Sequence, residues 1–466
     1  MTRRPARPAA SSAPTAPSPP DRLDVYFGGT LAGRVLRAPN AAPRLVYERA
    51  WLESPDARAL GPGLPLAPGW HEGDRLVAFF ENLLPEGHER ELLERRFQTS
   101  DVFGLLARAG RDLAGAVSVV PAGEALGSEA PGRHVSWEAI GAYFGTRPAG
   151  DGARARGDAV ARALRARVST ISGVQRKLLI ALDADGSPVI PHGTPTTHIV
   201  KPDIAGAAGA WRSALNEAFV MRLAAAVGLP VAETYYEPRA QALVVRRFDR
   251  TPALGRLHMA DFAQLAGVAS TLKYEADGGP GVRAIMDLLA RYSAAPIRDR
   301  ATLLDWIAFN LAACNYDAHA KNIALLWAGA APDAAPRLAP FYDLLCTGLH
   351  PGFARTFAFR LGGENRPGRI GRERLAALAV EIGIRPRLLV ESFDDVWVRV
   401  RDKAGLVAES LNAAVPAADR AIVERVAVKV RTEAARLRRR LAAGGPGRSG
   451  ECAAAGRPRP RAARRR

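Results

Sequence analysis

The sequence predicts an α+β fold in which strands concentrate before Arg250 and helices dominate after it. Three observations predict this. Short apolar runs separated by Gly-containing turns recur through the first half, as in antiparallel strands. From Met259 onward, apolar residues recur at helical spacing over longer stretches. Between an apolar run at Ala301 to Ala313 and another at Ile323 to Trp327 lies a polar stretch, Asn315-Tyr-Asp-Ala-His-Ala-Lys-Asn322. It reads as a loop carried by a buried helix and a short buried strand.

Taken in order, Leu23 to Val35 places two apolar runs around Gly28-Gly29, which predicts a hairpin. Arg44 to Tyr47 and Ala50 to Leu52 suggest further strand, and Arg75 to Leu84 and Glu89 to Phe97 read as helices around Pro85-Glu86-Gly87. A turn at Gly110 to Ala116 then feeds a strand at Val117 to Val120, closing a compact α+β region with no catalytic constellation of its own. A junction follows, with helical patterns at Trp137 to Phe144 and, laced with arginine, Ala153 to Arg165. Strands are predicted after Lys177, at Thr197 to Lys201 and at Ala242 into Arg250, with an amphipathic helix around Leu215 to Ala224. Helical patterns occupy Met259 to Leu265, Val282 to Ser293, Arg372 to Ile382, Pro386 to Ala404 and Ala418 to Leu441.

Composition narrows the setting. The 466 residues are 48% hydrophobic, enough for two or three domains. The cysteines Cys314, Cys346 and Cys452 show no metal-ligand spacing and no paired count, so a reducing cytoplasm is expected. No apolar stretch suits a membrane span and no secretory pattern opens the chain, which predicts a soluble protein without membrane contact. Residues 1–20 and 444–466 are too rich in Ala, Pro, Ser, Gly and Arg to build a core and are expected to be disordered. The formal net charge is +18, and the second of these segments sets seven arginines against Glu451. That tail either binds phosphate backbones without sequence preference or simply solvates its end.

The polar loop carries the chemistry. Asp317 and Asn322 stand at the spacing by which protein kinases separate a base aspartate from a metal-binding asparagine, and Asp343, in Pro-Phe-Tyr-Asp-Leu-Leu, supplies the later metal-binding carboxylate. Magnesium wants hard oxygen ligands and is held by few protein groups together with nucleotide phosphates, so one amide and one carboxylate suffice. The second carboxylate, Asp317, is then placed to receive or orient the proton of the attacking hydroxyl. His319 either orients the loop or is structural, and Lys321 either reaches the transferred phosphate or is solvated.

Upstream, Ser172, Gly173, Val174, Gln175 and Lys177 form a small glycine-containing turn before a strand, suited to presenting N–H groups to phosphates, although it is neither a Walker loop nor a three-glycine kinase loop. Lys201 sits on the next strand, and a buried ammonium needs a partner. Glu217 on the following helix is the candidate, repeating the pair that orients nucleotide phosphates in kinases. The end of the strand near Arg246 and Phe248 is where backbone groups would read adenine.

Together these segments resemble the HipA family of serine/threonine-kinase toxins over roughly Leu23 to Leu441. The resemblance rests on Ile171-Ser-Gly-Val-Gln-Arg-Lys177, His198-Ile-Val-Lys-Pro202, Asn216-Glu217, Arg247-Phe-Asp-Arg250, Lys273-Tyr274 with Asp277-Gly-Gly-Pro-Gly281, Asn315 to Asn322, and Tyr342-Asp-Leu-Leu345. Phe80 to Gly87 and Gly110 to Ala116 are similar to the family's N-terminal subdomain.

The resemblance implies a two-lobed protein-kinase-like architecture: an N-terminal subdomain over 21–121, an N-lobe over 122–250 and a helical C-lobe over 251–443. It implies an ATP- and Mg2+-dependent kinase in which Lys201 orients phosphates, Asp317 is the base, and Asn322 and Asp343 hold magnesium. Family targets are aminoacyl-tRNA synthetases, glutamyl-tRNA synthetase first among them, and their phosphorylation leads to growth arrest or persistence. A HipB-like helix-turn-helix antitoxin is expected as partner, and operator DNA through that complex. Family members also silence themselves by phosphorylating the start of the phosphate turn, where this chain offers Thr170, Ser172 and Ser169. Thr170 stands where the family's serine is expected. Two other readings compete: a small-molecule kinase, and a catalytically silent corepressor acting with a DNA-binding antitoxin.

Overall fold

The computed structural model describes residues 21–37, 42–127, 132–146, 173, 175–193, 195–204, 212–328 and 335–443. The first sheet is antiparallel and contains β1 (Arg22–Phe27), β2 (Thr30–Leu36), β3 (Arg44–Tyr47), β4 (Trp70–His71) and β5 (Val117–Pro121), ordered β4-β3-β2-β1-β5. Gly28 and Gly29 link β1 to β2 with φ of 60° and 100°, a conformation that glycine adopts without Cβ clash. Leu23, Val25, Val35 and Leu45 point to one face and bury it against helices α2 (Asp74–Glu81) and α4 (Val102–Ala109) through Phe79, Phe80, Phe103 and Leu106. The segment expected as strand at Ala50 to Leu52 is instead a helical turn, α1 (Arg49–Leu52). Trp51 anchors it by burying its ring and donating from Nε1 to the Arg58 carbonyl. Helix α3 (Gly87–Phe97) follows the Glu86 turn.

The second sheet, ordered β10-β11-β9-β7-β8-β6, contains β6 (Arg133–His134), β7 (Leu178–Leu182), β8 (Pro188–Ile190), β9 (His198–Pro202), β10 (Thr234–Glu237) and β11 (Ala242–Arg246). Helix α5 (Trp137–Phe144) packs Trp137 and Ile140 on one face of it. On the other face lies α6 (Ser213–Ala226), the helix expected to be amphipathic. Except for Arg222, it is buried on all sides from Ser213 to Ala224. It is sandwiched between this sheet and the later helices, and a helix with neighbours on both faces has no solvent side to keep polar. The arginine-laced segment at Ala153 to Arg165 lies outside the described residues.

The helical part comprises α7 (Phe262–Ala266), α8 (Val282–Tyr292), α9 (Pro296–Ala312), α10 (Arg372–Glu381), α11 (Pro386–Ala414) and α12 (Arg420–Ala443). Trp306, Phe309, Phe393 and Trp397 fill its centre together with Phe219 of α6, so α6 belongs to the core of the helical part as much as to the sheet. A small sheet joins β12 (His258–Asp261), β13 (Ala324–Trp327) and β14 (Arg337–Leu338). The expected helix at Met259 to Leu265 is therefore half strand. His258 to Asp261 pairs antiparallel with β13, and the helix begins only at Phe262, where Asp261 and Gln264 form a reciprocal capping box.

A buried ionic cluster fastens the first sheet's unit to the second. Asp112 accepts from Arg247 and Arg250 at 3.3 and 2.9 Å and from the Thr196 hydroxyl at 2.6 Å, and forms an ion pair with Arg256 at 3.1 Å. Asp249 accepts from Arg247 and Arg250 and from the Gly115 amide. The Arg247-Phe-Asp-Arg250 motif is thus a joint between units, with the Phe248 side of the turn left facing the cleft.

Candidate active site

The polar loop from Asn315 to Asn322 is built from the end of α9. Asn310 donates to the Trp306 carbonyl, and Asn315 donates to the Asn310 side-chain oxygen at 2.8 Å. The Asp317 amide in turn donates to Asn315 Oδ1. Asn315 is fully buried, and its amide side chain shapes the loop from within. The loop is also sewn to the segment after Asp343. The Tyr316 amide donates to the Thr347 hydroxyl at 2.8 Å and the Gly348 amide to the Cys314 carbonyl at 2.9 Å. A Cβ at Gly348 would stand 2.7 Å from the Cys314 Cβ, so glycine permits this approach.

Asn322 donates from Nδ2 to the Asp317 carbonyl at 2.9 Å, which fixes the loop's curvature and turns the amide oxygen into the free acceptor of that side chain. Asp343 adopts φ 61°, a left-handed conformation costing about 1–3 kcal/mol for a residue with a Cβ. The chain on either side holds it there. Phe341 exchanges backbone bonds with Pro230 and Ala232, and Asn216 clamps both the N–H and the carbonyl of Cys346.

The Lys201 ammonium donates to Glu217 Oε1 and to Asp343 Oδ1, both at 2.7 Å. It therefore joins strand β9, helix α6 and the Asp343 turn. Burial by itself would lower the Lys201 pKa, but Asp343 and Glu217 outweigh it and hold the group above its usual range. Burial pushes Glu217 up to about 7 against the pull of Lys201. Asp343, whose side chain is 37% exposed, is held down at about 2 because Lys201 overrides the cost of burial. It is the open end of the pair and faces the cavity as a carboxylate.

Burial raises Asp317 to about 6, opposed by a hydrogen bond donated by the Tyr274 hydroxyl. His319 lies with Nε2 3.9 Å from Asp317 Oδ1 and its ring edge-on to Tyr274, and burial lowers it to about 3, so it is neutral at pH 7. Lys321 is committed elsewhere. Its ammonium donates to Asn82 Oδ1 at 2.7 Å and to the Asn82 carbonyl at 3.0 Å, and lies 3.4 Å from both Glu86 and Asp261. Neither solvated nor free to reach a phosphate in this arrangement, it ties the loop to the N-terminal unit.

These groups surround one cavity of about 700 Å3, lined by Gly173, Gln175, Lys177, Lys201, Glu217, Arg246, Phe248, Asp317, His319, Lys321, Asn322 and Asp343. Its size suits a nucleotide-sized ligand. Gln175 donates to the Pro202 carbonyl, which seats the turn on the end of β9. Burial and the Lys201 charge lower Lys177 to about 8. Ser169, Thr170, Ser172 and Val174 lie outside the described residues. At the strand end, the Arg246 amide donates to the Glu233 carbonyl and the Arg247 amide to the Thr197 carbonyl. Neither amide is therefore available to a base.

The structure adds residues to the site that spacing arguments missed. Glu86, from the N-terminal unit, pairs with Lys273 at 2.9 Å and is held at about 2 because Lys321 and Lys273 outweigh its burial. Asn82, Lys273 and Tyr274 line the same cavity. The segments Phe80 to Gly87 and Lys273-Tyr274 were visible as motifs, but nothing local in them indicates that they meet.

Comparison with known proteins agrees with this architecture. A family model described as the HipA N-terminal domain matches residues 23–120, and one described as the HipA-like C-terminal domain matches residues 169–404. The putative kinase Y4mE of Sinorhizobium fredii is 35% identical over 73% of this chain and 80% of its own length. The serine/threonine-protein kinase toxin HipA of Shewanella oneidensis is 27% identical over 81% of this chain and 87% of its own. The Shewanella oneidensis HipA structure solved with HipB and operator DNA superposes with a TM-score of 0.74 at 24% identity, covering 89% of this chain and 97% of that one. The fold is thus the two-lobed, kinase-like α+β fold. With a family model over more than half its length and a site of kinase order, the chain belongs to the HipA family and is a kinase.

Proposed function

We propose that this protein is an ATP- and Mg2+-dependent serine/threonine-protein kinase toxin of a HipA/HipB-like module. Its expected target is an aminoacyl-tRNA synthetase, with glutamyl-tRNA synthetase tested first. One observation carries the reading: a single ammonium, Lys201, holds the helix carboxylate Glu217 and the turn carboxylate Asp343 at 2.7 Å each, on the wall of the cavity that also receives Asp317 and Asn322.

The donor set fits a magnesium nucleotide. Asp343 and the Asn322 amide oxygen are the hard ligands that would hold the cation, which supplies charge neutralisation of the phosphates. Lys201 orients phosphate oxygens. Gly173, Gln175 and Lys177 border the same space from the glycine-containing turn. Asp317, more basic than an ordinary aspartate yet mostly ionised at pH 7, accepts the proton of the acceptor hydroxyl. His319 and Lys321 shape the loop around it. Thr170, Ser172 and Ser169 are the candidate hydroxyls for self-phosphorylation, where added charge would expel the turn from a phosphate site. The Shewanella relative's complex with HipB and operator DNA supports a HipB-like antitoxin as partner and contact with DNA through it. Among the described residues, no helix is long and apolar enough to cross a membrane.

The test is incubation with γ-labelled ATP, Mg2+ and a panel of aminoacyl-tRNA synthetases, comparing the wild type with Asp317→Gln. Label on one synthetase from the wild type alone is the expected result. Equal labelling by both proteins would refute the role of Asp317, and no labelled synthetase would refute the substrate class. Phosphopeptide mapping of Val168 to Lys177 after incubation with ATP tests self-modification, and an unmodified segment would refute it.

A further inference from the structure

We infer that Tyr274 is a positioning residue for phosphoryl transfer: its hydroxyl holds Oδ1 of Asp317 so that Oδ2 is presented to the acceptor hydroxyl. The inference rests on the reading of Asp317 as base and deepens it.

The geometry begins with the turn that carries Tyr274. Lys273 to Gly281 is polar and glycine-rich, yet it is pinned on several sides. The Lys273 ammonium binds Glu86 at 2.9 Å, and the Lys273 carbonyl accepts from the Ala320 amide inside the catalytic-loop segment at 3.3 Å. The Glu275 amide donates to the Ala358 carbonyl, and the Glu275 carboxylate accepts from the Arg360 amide at 2.7 Å. The Tyr274 carbonyl closes the turn by accepting from Asp277 and Gly279. A Cβ at Gly279 would come within 2.2 Å of the Leu272 carbonyl, so only glycine permits so tight a closure. A turn fixed in this way can aim a side chain as a strand does.

What it aims is the phenol. Tyr274 is half-buried, its ring meets His319 edge-on at 5.1 Å, and its hydroxyl donates to Asp317 Oδ1. A carboxylate rotates about its last bond unless one oxygen is tied. Here the backbone fixes Asp317 from behind through Asn315 and Asn322, and the phenol fixes its plane. Oδ2 is then the oxygen left for a hydroxyl entering from the cavity. Misplacing a reacting group by about 1 Å costs up to about 100-fold in rate, so orientation of this kind is worth measuring in kcat and not in nucleotide affinity.

The experiment compares wild type, Tyr274→Phe, Asp317→Asn and the double variant. It measures total transfer of γ-phosphate from ATP, to protein and to water, together with affinity for a fluorescent ATP analogue and the thermal midpoint. Tyr274→Phe is expected to lower kcat about 10- to 100-fold while KM for ATP, nucleotide affinity and midpoint stay within about twofold or a few degrees. In the Asp317→Asn background the same change is expected to do nothing further, because the two side chains act as one unit. Wild-type kcat in Tyr274→Phe overturns the inference, as does a raised kcat, which would make the phenol an obstruction on the base. A further fall in the double variant, or a lost midpoint in Tyr274→Phe, would reduce Tyr274 to a structural role. Full activity in Asp317→Asn would instead remove the base reading itself, whatever Tyr274 does.

Discussion

Replacing Asp112 with alanine should loosen the joint between the N-terminal unit and the kinase lobes. Oδ1 of Asp112 serves Arg247, Arg250 and Arg256, and Oδ2 serves both the amide and the hydroxyl of Thr196. All three guanidiniums are nearly dry, at 1%, 2% and 11% side-chain exposure. Without Asp112, Arg247 and Arg250 keep Asp249 and the Leu113 carbonyl, while Arg256 keeps the Arg111 carbonyl. One carboxylate is then left for three buried cations. Removing one partner from a buried ionic cluster costs about 3–5 kcal/mol, and the full range applies here because little solvent can screen what remains. Asp112→Asn, which keeps one acceptor oxygen for Thr196 but removes the charge and turns an NH2 donor toward the arginines, should also destabilise, by less than the alanine change. Urea unfolding followed by tryptophan fluorescence measures both. The pH dependence supplies a second check. Arg247, Arg256 and Arg250 outweigh burial and hold the Asp112 carboxyl well below its usual range, so its stabilisation is complete above about pH 4 and is lost as pH falls further. The gap between wild type and Asp112→Ala should therefore narrow by about 1.4 kcal/mol per pH unit below that point. A gap under about 1 kcal/mol at pH 7, or one that does not change with acid, would refute the claim that this carboxylate neutralises the joint.

Other outcomes follow from the same geometry. Lys201→Met should reduce phosphoryl transfer at least about 100-fold, measured with labelled ATP, because Glu217 and Asp343 lose the cation that joins them. Phe219→Ala, at a fully buried position between sheet and helices, should destabilise by about 3–5 kcal/mol in the same urea assay and lower the yield of active kinase. Asn216→Ala should lower kcat, measured with labelled ATP, since the Cys346 backbone loses its clamp and the left-handed Asp343 loses support. Lys321→Met should cost about 3–5 kcal/mol of stability by leaving Asn82, Glu86 and Asp261 without their common cation, a loss read by denaturation.

The gap between sequence and structure follows contact range. The Gly28-Gly29 hairpin and the helices at Trp137 and Val282 were legible because their signals lie within a few residues of one another. Ala50 to Leu52 and Met259 to Leu265 were misread because short apolar runs fit either period until a partner chooses, and the partners are the Arg58 carbonyl and strand β13. Helix α6 shows the same effect in its burial: the neighbours that cover its outer face begin at Pro386, far along the chain.

The candidate site divides along the same line. By itself the sequence determined the order Lys201, Glu217, Asp317, Asn322 and Asp343 on which the proposed chemistry rests, because hard-cation binding and proton transfer restrict residue type and loop spacing. Only the tertiary structure decided that Lys321 is a tether to Asn82, that Glu86 joins the cleft from the N-terminal unit, and that Tyr274 reaches Asp317. Those pairs lie 239, 187 and 43 residues apart. No periodicity spans such distances; a hydrogen bond between them exists only once the packing of the units has brought donor and acceptor together.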